Sequence, residues 1–173
     1  MRRKDREIKD KKIIKSIIKK AAICRIALSE NNMPYIIPIN FGYKNNHIYL
    51  HSASEGKKID IIRKNSNICF EMDIKHDLVK SESPCNYGMK YCSVIGFGKA
   101  YLVDDFNEKI TALNTIMEHY MPGTSFEYPK HVVDELTIIR VDIESLTGKK
   151  SGYWFSNINK NLINKKFITY IKK

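Results

Sequence analysis

The sequence lacks any long apolar run. No apolar segment approaches the roughly 18–20 residues that a membrane-spanning helix needs, although 43% of the 173 residues are hydrophobic. The first seven residues, Met1 to Glu7, are mostly charged and have no apolar segment behind them, so they do not resemble a secretory signal peptide. We therefore expect a cytoplasmic protein without a membrane partner.

Cysteine pairs of the kind that bind metals are also missing. The four cysteines include no C-x-x-C pair. Cys24 and Cys69 lie in apolar, strand-like segments and are predicted to be small buried side chains. Cys85 and Cys92 could bind a metal with His76 or pair oxidatively, but their spacing matches no common zinc site. We expect reduced thiols, as is usual in the cytosol, and no metal centre.

Several catalytic signatures are absent. There is no P-loop and no H-E-x-x-H motif, and Gly96-Phe97-Gly98 lies inside a predicted strand, whereas the glycines of a dinucleotide-binding fingerprint open a helix. Ser54 and Lys57 fit the S-x-x-K pattern of serine acyl-enzymes, but no K-T-G element accompanies them. These patterns therefore do not indicate nucleotide hydrolysis, zinc proteolysis or acyl-enzyme chemistry.

The middle of the chain has almost no net charge. The formal net charge is +11, but residues 1–20 carry +7 and residues 160–173 carry +5, so the segment between them is close to neutral. A nucleic-acid-binding protein more often carries its positive charge on the folded surface, among aromatic residues. Basic ends could hold nucleic acid or acidic lipid weakly, but the 24 lysines against 6 arginines also indicate a general compositional bias. We do not expect nucleic acid as the main partner.

The spacing of the apolar residues predicts a mainly β fold. Residues 10–21 have a helical pattern that follows a candidate N-cap, Asp10. Asp105 and Glu108 predict the capped start of a second helix, which Met121-Pro122-Gly123 ends. Strand patterns cover residues 23–28, 34–43, 48–50, 67–74, 90–103 and 136–143. Tight turns join the early strands, which favours a small antiparallel barrel with packed helices over a doubly wound sheet.

Other local signals set the remaining boundaries. Ser54 is expected to begin a short helix that ends near Asn65. Residues 75–88 and 124–134 are expected to be loops, and residues 145–154 an irregular segment. Gly96 and Gly98 are predicted to mark a bend or a close approach of neighbouring groups, as expected where a barrel curves. We place one domain at residues 1–155 and a basic C-terminal tail at residues 156–173.

The stretch from Tyr49 to Lys58 gathers most of the polar chemistry. Between a strand and a helix it contains a histidine, two serines, a glycine and two lysines. Hydroxyl groups, the backbone N–H groups of a helix N-terminus and lysine side chains suit an anion such as phosphate. The alternative is that Ser54 only caps the helix and that the lysines are solvated.

Pro38 interrupts the second predicted strand. Proline cannot donate to a strand ladder, so this strand is predicted to lie at a sheet edge or to contain a local break in pairing. A break would leave nearby backbone groups able to meet a flat polar ligand. A plain edge strand without a ligand is the alternative.

Six segments then occur in an order typical of one family: Met1 to Glu7, Pro34 to Phe41, Tyr49 to Lys58, Tyr91 to Ala100, Glu108-Lys109 and Leu146 to Lys149. Together they resemble the nitroimidazole-resistance (Nim) proteins, which belong to the pyridoxamine 5′-phosphate oxidase-like, FMN-binding split-barrel superfamily. The resemblance covers about residues 1–150. It implies an antiparallel split β-barrel and a homodimer with a flavin at each subunit interface.

The resemblance also implies roles for particular residues. Ser52, Lys57 and Lys58 would hold the FMN phosphate and ribityl region, with Lys58 as the main charge. Lys57 stands where an arginine is also common in the family, so charge is kept and bidentate geometry is lost. The implied ring and pocket residues are Pro38, Ile39, Asn40, Phe41, Tyr91 and Ser93. His51 would face flavin and substrate as the candidate catalytic residue.

The implied activity is flavin-dependent reduction of a nitro-aromatic compound such as a 5-nitroimidazole, by hydride transfer, to the amine. FMN is the expected cofactor, with FAD possible, and NAD(P)H or another reductant would supply electrons. Two alternatives stay open. One is a pyridoxamine-phosphate-oxidase-like enzyme acting on another substrate, and the other is a module that binds flavin or haem without this activity.

Overall fold

One antiparallel sheet of eight strands forms the body of the protein in the computed structural model, which describes residues 2–152. The strands are β1 Glu7–Ile8, β2 Cys24–Glu30, β3 Met33–Ile39, β4 Gly42–Lys44, β5 His47–Ser52, β6 Asn67–Val79, β7 Gly88–Val103 and β8 Thr137–Ser151. The α-helices are α1 Lys11–Lys20, α2 Lys57–Lys64, α3 Phe106–Tyr120 and α4 Lys130–Glu135. The predicted mainly β split barrel with short packed helices is confirmed.

The strand order is β3-β2-β6-β7-β8-β5-β4, and β1 pairs with β8. β3 therefore lies at an edge, as Pro38 predicts, with Pro38 opposite Arg25 of β2. Only Asn40 and Phe41 separate β3 from β4, which lies at the other end of the strand order. This short connection brings the two edges of the sheet towards each other.

Two glycines shape the long strand β7, which has 16 residues. A Cβ atom on Gly96 would lie 2.1 Å from Cζ of Phe70, so only glycine leaves room for that buried ring. A Cβ atom on Gly98 would lie 2.2 Å from the carbonyl oxygen of Asp142. The register between β7 and β8 shifts between Phe97 and Gly98, so the predicted irregularity at these glycines is confirmed.

Local capping signals predict two of the helices correctly. The carboxylate of Asp10 accepts a hydrogen bond from the Lys12 amide at 2.7 Å, and that of Asp105 accepts one from the Glu108 amide at 2.8 Å. The apolar face of α1 enters the main core through four buried isoleucines, Ile13, Ile14, Ile17 and Ile18. α3 instead covers a second cluster that includes Tyr49, Leu113, Ile116, Val133 and Ile138. None of the described helices is long and apolar enough to cross a membrane.

Five sequence-based boundaries are wrong. The strand predicted at residues 34–43 is two strands, β3 and β4, because the chain leaves the ladder at Asn40 and Phe41. α2 begins at Lys57 and not at Ser54, because Gly56 turns the chain at φ 112° and takes the N-cap position. β6 extends to Val79 through residues that were expected to be a loop, and Lys75, at φ 61°, lies in the break in its pairing. Residues 130–135 form the short helix α4. β8 runs to Ser151 because β7 and β1 both pair with its polar second half.

Candidate functional site

The buried hydroxyl of Ser52 is the clearest sign of a ligand site. Ser52 ends β5 and is only 6% exposed. Its Oγ atom is buried and has no hydrogen-bond partner among residues 2–152. A buried hydroxyl without a partner costs roughly 1–3 kcal/mol, so such a group in a native site calls for a ligand or an ordered water.

The N-terminus of α2 follows Ser52 after four residues. Gly56 occupies its N-cap, and no described side chain caps the helix. The Ile59 amide donates to the Gly56 carbonyl at 2.8 Å, whereas the backbone N–H groups at the very start of a helix have no acceptor inside it and carry positive potential outward. Lys57 and Lys58 are the first two residues of α2. Phosphate-binding chemistry is therefore assembled at one place by a strand end, a glycine and a helix start.

Lys57 is held by an aromatic residue of the edge strand. Its Nζ atom lies 4.8 Å from the ring centroid of Tyr35 in β3, a distance suited to a cation–π interaction. Lys58 is partly buried. The two lysines therefore differ, since Lys57 links α2 to β3 and Lys58 is the more enclosed of the two.

His51 is next to Ser52 but projects the other way. Side chains alternate between the two faces of a strand, and Ser52 lies on the face of β5 that carries the core residues Ile48 and Leu50. His51 shares the opposite face with Tyr49, which packs in the second cluster, and it pairs with Ile138 of β8. The His51 ring is half-buried and makes no hydrogen bond within the described part of the chain. The side chains of Ser52 and His51 therefore lie on opposite faces of the end of β5.

Part of the segment from Pro38 to Phe41, which is predicted to lie beside the flavin ring, is buried in the fold. The Phe41 side chain is fully buried in the main core. Its amide donates to the Tyr120 hydroxyl at 3.0 Å, and that hydroxyl donates to the Ala22 carbonyl at 3.0 Å. Burial raises the pKa of Tyr120, which keeps its proton available for this bond. Pro38 has no N–H, so the exposed Asn40 and the edge residue Ile39 are the more available groups of this segment.

Tyr91 and Ser93 lie far from His51 and Ser52 along the sheet. They share the outer face of β7, where Tyr91 pairs with Ser151 and Ser93 with Lys149 of β8. His51 and Ser52 pair with Ile138 and Thr137, at the opposite end of the same strand. At about 3.3 Å per residue, roughly 40 Å of strand length lies between the two groups. The pairing within one chain therefore does not bring all the predicted site residues together.

The outer face of the sheet carries unusual apolar exposure. Cross-strand pairing aligns Ile36, Ala27, Cys69 and Phe97 in one row across β3, β2, β6 and β7. Ile36 is 62% exposed and Phe97 is 53% exposed. Beside this row the Arg25 guanidinium binds the carboxylates of Glu71 at 3.1 Å and Asp73 at 2.7 Å. Burial and the nearby Asp73 raise the pKa of Glu71.

Sequence reasoning missed Tyr35 and Arg25. Tyr35 looks like any aromatic strand residue, and its contact with Lys57 depends on how α2 packs against the β2–β3 hairpin. Arg25 was visible as a charge inside an apolar strand, but its two acceptors come from β6. The only sequence signal for these two residues was the charge of Arg25 at an alternating position of an apolar strand.

Comparison with known proteins gives one clear family. The family model described as pyridoxamine 5′-phosphate oxidase matches residues 10–150. A crystal structure of a proposed 5-nitroimidazole antibiotic resistance protein from Bacteroides thetaiotaomicron is similar at 36% identity and TM-score 0.75, covering 83% of this chain and 86% of that one. The search of curated proteins gives no match.

Two further solved structures share the fold at low identity. The flavocytochrome Anf3 from Azotobacter vinelandii is 20% identical, with TM-score 0.76, and the alignment covers 88% of this chain and 72% of that one. An FAD and heme binding protein from Mycobacterium smegmatis is 14% identical, with TM-score 0.78, and the alignment covers 86% and 75%.

Proposed function

Because the chain belongs to the pyridoxamine 5′-phosphate oxidase family, we propose that it is a flavin-dependent reductase of nitro-aromatic compounds, with 5-nitroimidazoles as the substrate class. The observation that carries the flavin part is the unpartnered Ser52 hydroxyl beside the uncapped start of α2. The nitroimidazole part is supported by the 36% identical resistance protein from Bacteroides thetaiotaomicron.

The residues present fit the phosphate shared by FMN and the FMN half of FAD. Ser52 would donate its hydroxyl, the first N–H groups of α2 would donate along the helix axis, and Lys58 would supply charge. Lys57 would add positive potential from its place above Tyr35. A phosphate at this point satisfies the one buried hydroxyl that the described core leaves unpaired on this strand.

When bound, the flavin would supply hydride to the substrate in repeated rounds, with NAD(P)H as the expected electron source. Full reduction of one nitro group to the amine would consume three NAD(P)H and release the two nitro oxygens as water. The chain's own contribution is positioning. The backbone at Ile39 and Asn40 would face the polar edge of the ring, and His51 would donate a hydrogen bond to a nitro oxygen of the substrate. We assign His51 this role because its half-buried ring makes no hydrogen bond inside the described fold.

A homodimer with the site between two copies accounts for the split of the predicted residues. Tyr91 and Ser93 lie at the far end of β8 from His51 and Ser52, so a second copy would bring its Tyr91 and Ser93 to the first copy's His51–Lys58 segment. The exposed apolar row that includes Ile36 and Phe97 offers a surface for this contact. Each copy would then contribute to both sites.

The activity is tested with purified protein in two steps. First, the absorption spectrum should show bound flavin. Second, anaerobic incubation with a 5-nitroimidazole and NAD(P)H should convert the nitro group to the amine, and mass spectrometry detects the amine product. A colourless protein that takes up neither FMN nor FAD would reject the flavin site. A flavin-loaded protein without turnover would instead favour a binding module or another substrate.

Mixing two inactive variants tests the two-copy site. Lys58→Ala chains should bind flavin at least tenfold more weakly, since a charged hydrogen bond contributes about 1.5–3 kcal/mol. Tyr91→Ala chains should also bind flavin more weakly, because they lose a side chain of the proposed pocket. After unfolding and refolding together, mixed dimers should regain one intact site, because Lys58 of one chain meets Tyr91 of the other. Refolding either variant alone is the control. No recovery in the mixture would place both residues in a site within one chain.

A further inference from the structure

The second half of α3 packs closely against the connection between β3 and β4. A Cβ atom on Gly42 would lie 2.5 Å from the backbone carbonyl of Thr115, so a larger residue would push the two backbones apart. The centroid of the Phe41 ring lies 4.4 Å from that of the His119 ring. A helix from a distant part of the chain therefore holds this connection from one side.

The Tyr120 hydroxyl joins two backbone segments at the end of α3. It accepts a hydrogen bond from the Phe41 amide at 3.0 Å and donates one to the Ala22 carbonyl at 3.0 Å. The neighbouring His119 donates from Nε2 to the Ala21 carbonyl at 2.8 Å, and its ring centroid lies 4.7 Å from that of Tyr120. Because its donor and acceptor roles are both used, the hydroxyl has one fixed orientation.

The bond to the Phe41 amide sets the direction of the Asn40 carbonyl. The two groups belong to one peptide unit, and the N–H and C=O of a trans peptide point in opposite directions. None of the described peptide bonds is cis. Since the Phe41 N–H points at Tyr120, the Asn40 carbonyl points away from α3. Asn40 is exposed, and its carbonyl accepts no hydrogen bond within residues 2–152. The fold therefore holds an oriented acceptor without using it.

This acceptor lies at the end of β5 that carries the candidate site. The ladder between β4 and β5 ends at the pair of Gly42 and Tyr49. Because the two strands are antiparallel, Asn40 lies beyond this pair in the same direction as His51. The orientation of the Asn40 carbonyl therefore matters for a ligand bound beside His51.

We propose that Tyr120 is a positioning residue for the flavin ring. By holding the Phe41 amide, its hydroxyl keeps the Asn40 carbonyl turned towards the ring, where this carbonyl accepts a hydrogen bond from the imide N–H. The inference rests on the proposed flavin site. The match is specific because a carbonyl oxygen can only accept, and the imide N–H is the one donor on the polar edge of an oxidised flavin ring.

A flavin that lacks this donor tests the role of Tyr120. Apoprotein is titrated with FMN and with FMN methylated at the imide nitrogen, and dissociation constants are read from flavin fluorescence. The unmodified protein should bind FMN about tenfold more tightly, because the methyl group removes the hydrogen bond and meets the Asn40 carbonyl.

Tyr120→Phe keeps the ring against His119 but releases the Phe41 amide, so the Asn40 carbonyl can turn away. FMN should then bind about fivefold more weakly, and the affinity for methylated FMN should stay within about twofold of the unmodified protein. The preference for FMN should therefore fall to about twofold. A loss of packing alone would weaken the binding of both flavins by the same factor.

Tyr43→Phe is the matched control, because Tyr43 lies in β4 and its hydroxyl makes no hydrogen bond among the described residues. It should leave both affinities unchanged. An equal loss of both affinities in Tyr120→Phe would overturn the proposal, and so would an unmodified protein that binds the two flavins equally well. If neither flavin binds to the unmodified protein, the flavin site itself is rejected, and the positioning role with it.

Discussion

Among single residues, Tyr35 decides how α2 meets the sheet. Its ring lies under the Lys57 amine, so it holds the first residue of α2 against the edge strand. The hydroxyl is not needed for this contact, because the cation interacts with the face of the ring. The aromatic face and the hydroxyl can therefore be separated by substitution.

Tyr35→Leu should weaken flavin binding by about threefold to fivefold, since an exposed cation–π contact contributes about 0.5–1 kcal/mol. Tyr35→Phe keeps the ring and should bind flavin like the unmodified protein. Both affinities are measured by flavin fluorescence titration. Equal weakening in the two variants would show that the Tyr35 hydroxyl, and not its ring, supports the site.

His51 is the residue whose loss should separate chemistry from binding. His51→Ala should lower the rate of nitro reduction on the order of 100-fold, which is the lower range for a positioned acid–base group. Flavin affinity should change by less than threefold, because His51 projects from the face of β5 opposite to Ser52. Single-turnover kinetics and flavin titration give the two numbers. A parallel loss of both would make His51 a structural residue.

At the scale of the elements, the β7 strand depends on a glycine at position 96. Gly96→Ala would push a methyl group into the Phe70 ring, so the free energy of unfolding should fall by about 1–3 kcal/mol. Gly88→Ala is the matched control, because a Cβ atom there meets nothing within 4 Å. Thermal unfolding measures both variants.

The second arm of this experiment adds Phe70→Leu to Gly96→Ala. The smaller side chain should recover part of the lost stability, because it withdraws the ring from the new methyl group. If the double variant is less stable than both single changes predict together, the Gly96–Phe70 contact is not the cause.

How far the elements could be predicted depends on the range of the interactions that define them. The starts of α1 and α3 follow from Asp10 and Asp105, since a cap and its amide are two or three residues apart. The end of β8 could not be predicted, because its polar residues are held by β1 and β7, from the distant N-terminal and middle parts of the chain. Ser54 failed as a cap because Gly56, two residues later, allowed a φ of 112° that sequence patterns do not reveal.

The candidate site also combines groups that could be predicted from the sequence with groups that could not. A phosphate-type cluster at Ser52 to Lys58 was visible in the sequence because its members are close neighbours. The separation of Tyr91 from His51 was not visible, because it depends on the register of both β5 and β7 on β8. The roles of the cofactor-binding residues stay predictions, and the proposed basic tail at 156–173 lies outside the described residues.

On the scale of the whole molecule, the outer sheet face should decide the oligomeric state. Phe97→Asp would place a charge in the middle of the apolar row. Because a buried unpaired charge is costly, the proposed dimer should dissociate and flavin affinity should fall by at least tenfold. Light scattering and flavin titration measure the two effects.

Val132→Asp is the control for this change. Val132 is an exposed apolar residue on α4 and lies outside the proposed contact row. The Val132→Asp substitution should leave the molecular mass of the assembly and the flavin affinity unchanged. If the Phe97→Asp protein keeps the molecular mass of the dimer, the contact between the two copies lies on another face. If it is a monomer with full flavin affinity, the whole flavin site lies within one chain.

The length of β8 also has a genetic consequence. In a dimer arranged as proposed, each chain supplies the Lys58 side of one pocket and the Tyr91 side of the other, because Ser52 of β5, which precedes α2, and Tyr91 of β7 pair with opposite ends of β8. A chain altered at both places would therefore damage both pockets of every dimer it enters. Produced together with the unaltered chain, it should act as a dominant inhibitor, whereas a chain altered at only one of the two places should spare one pocket in each mixed dimer.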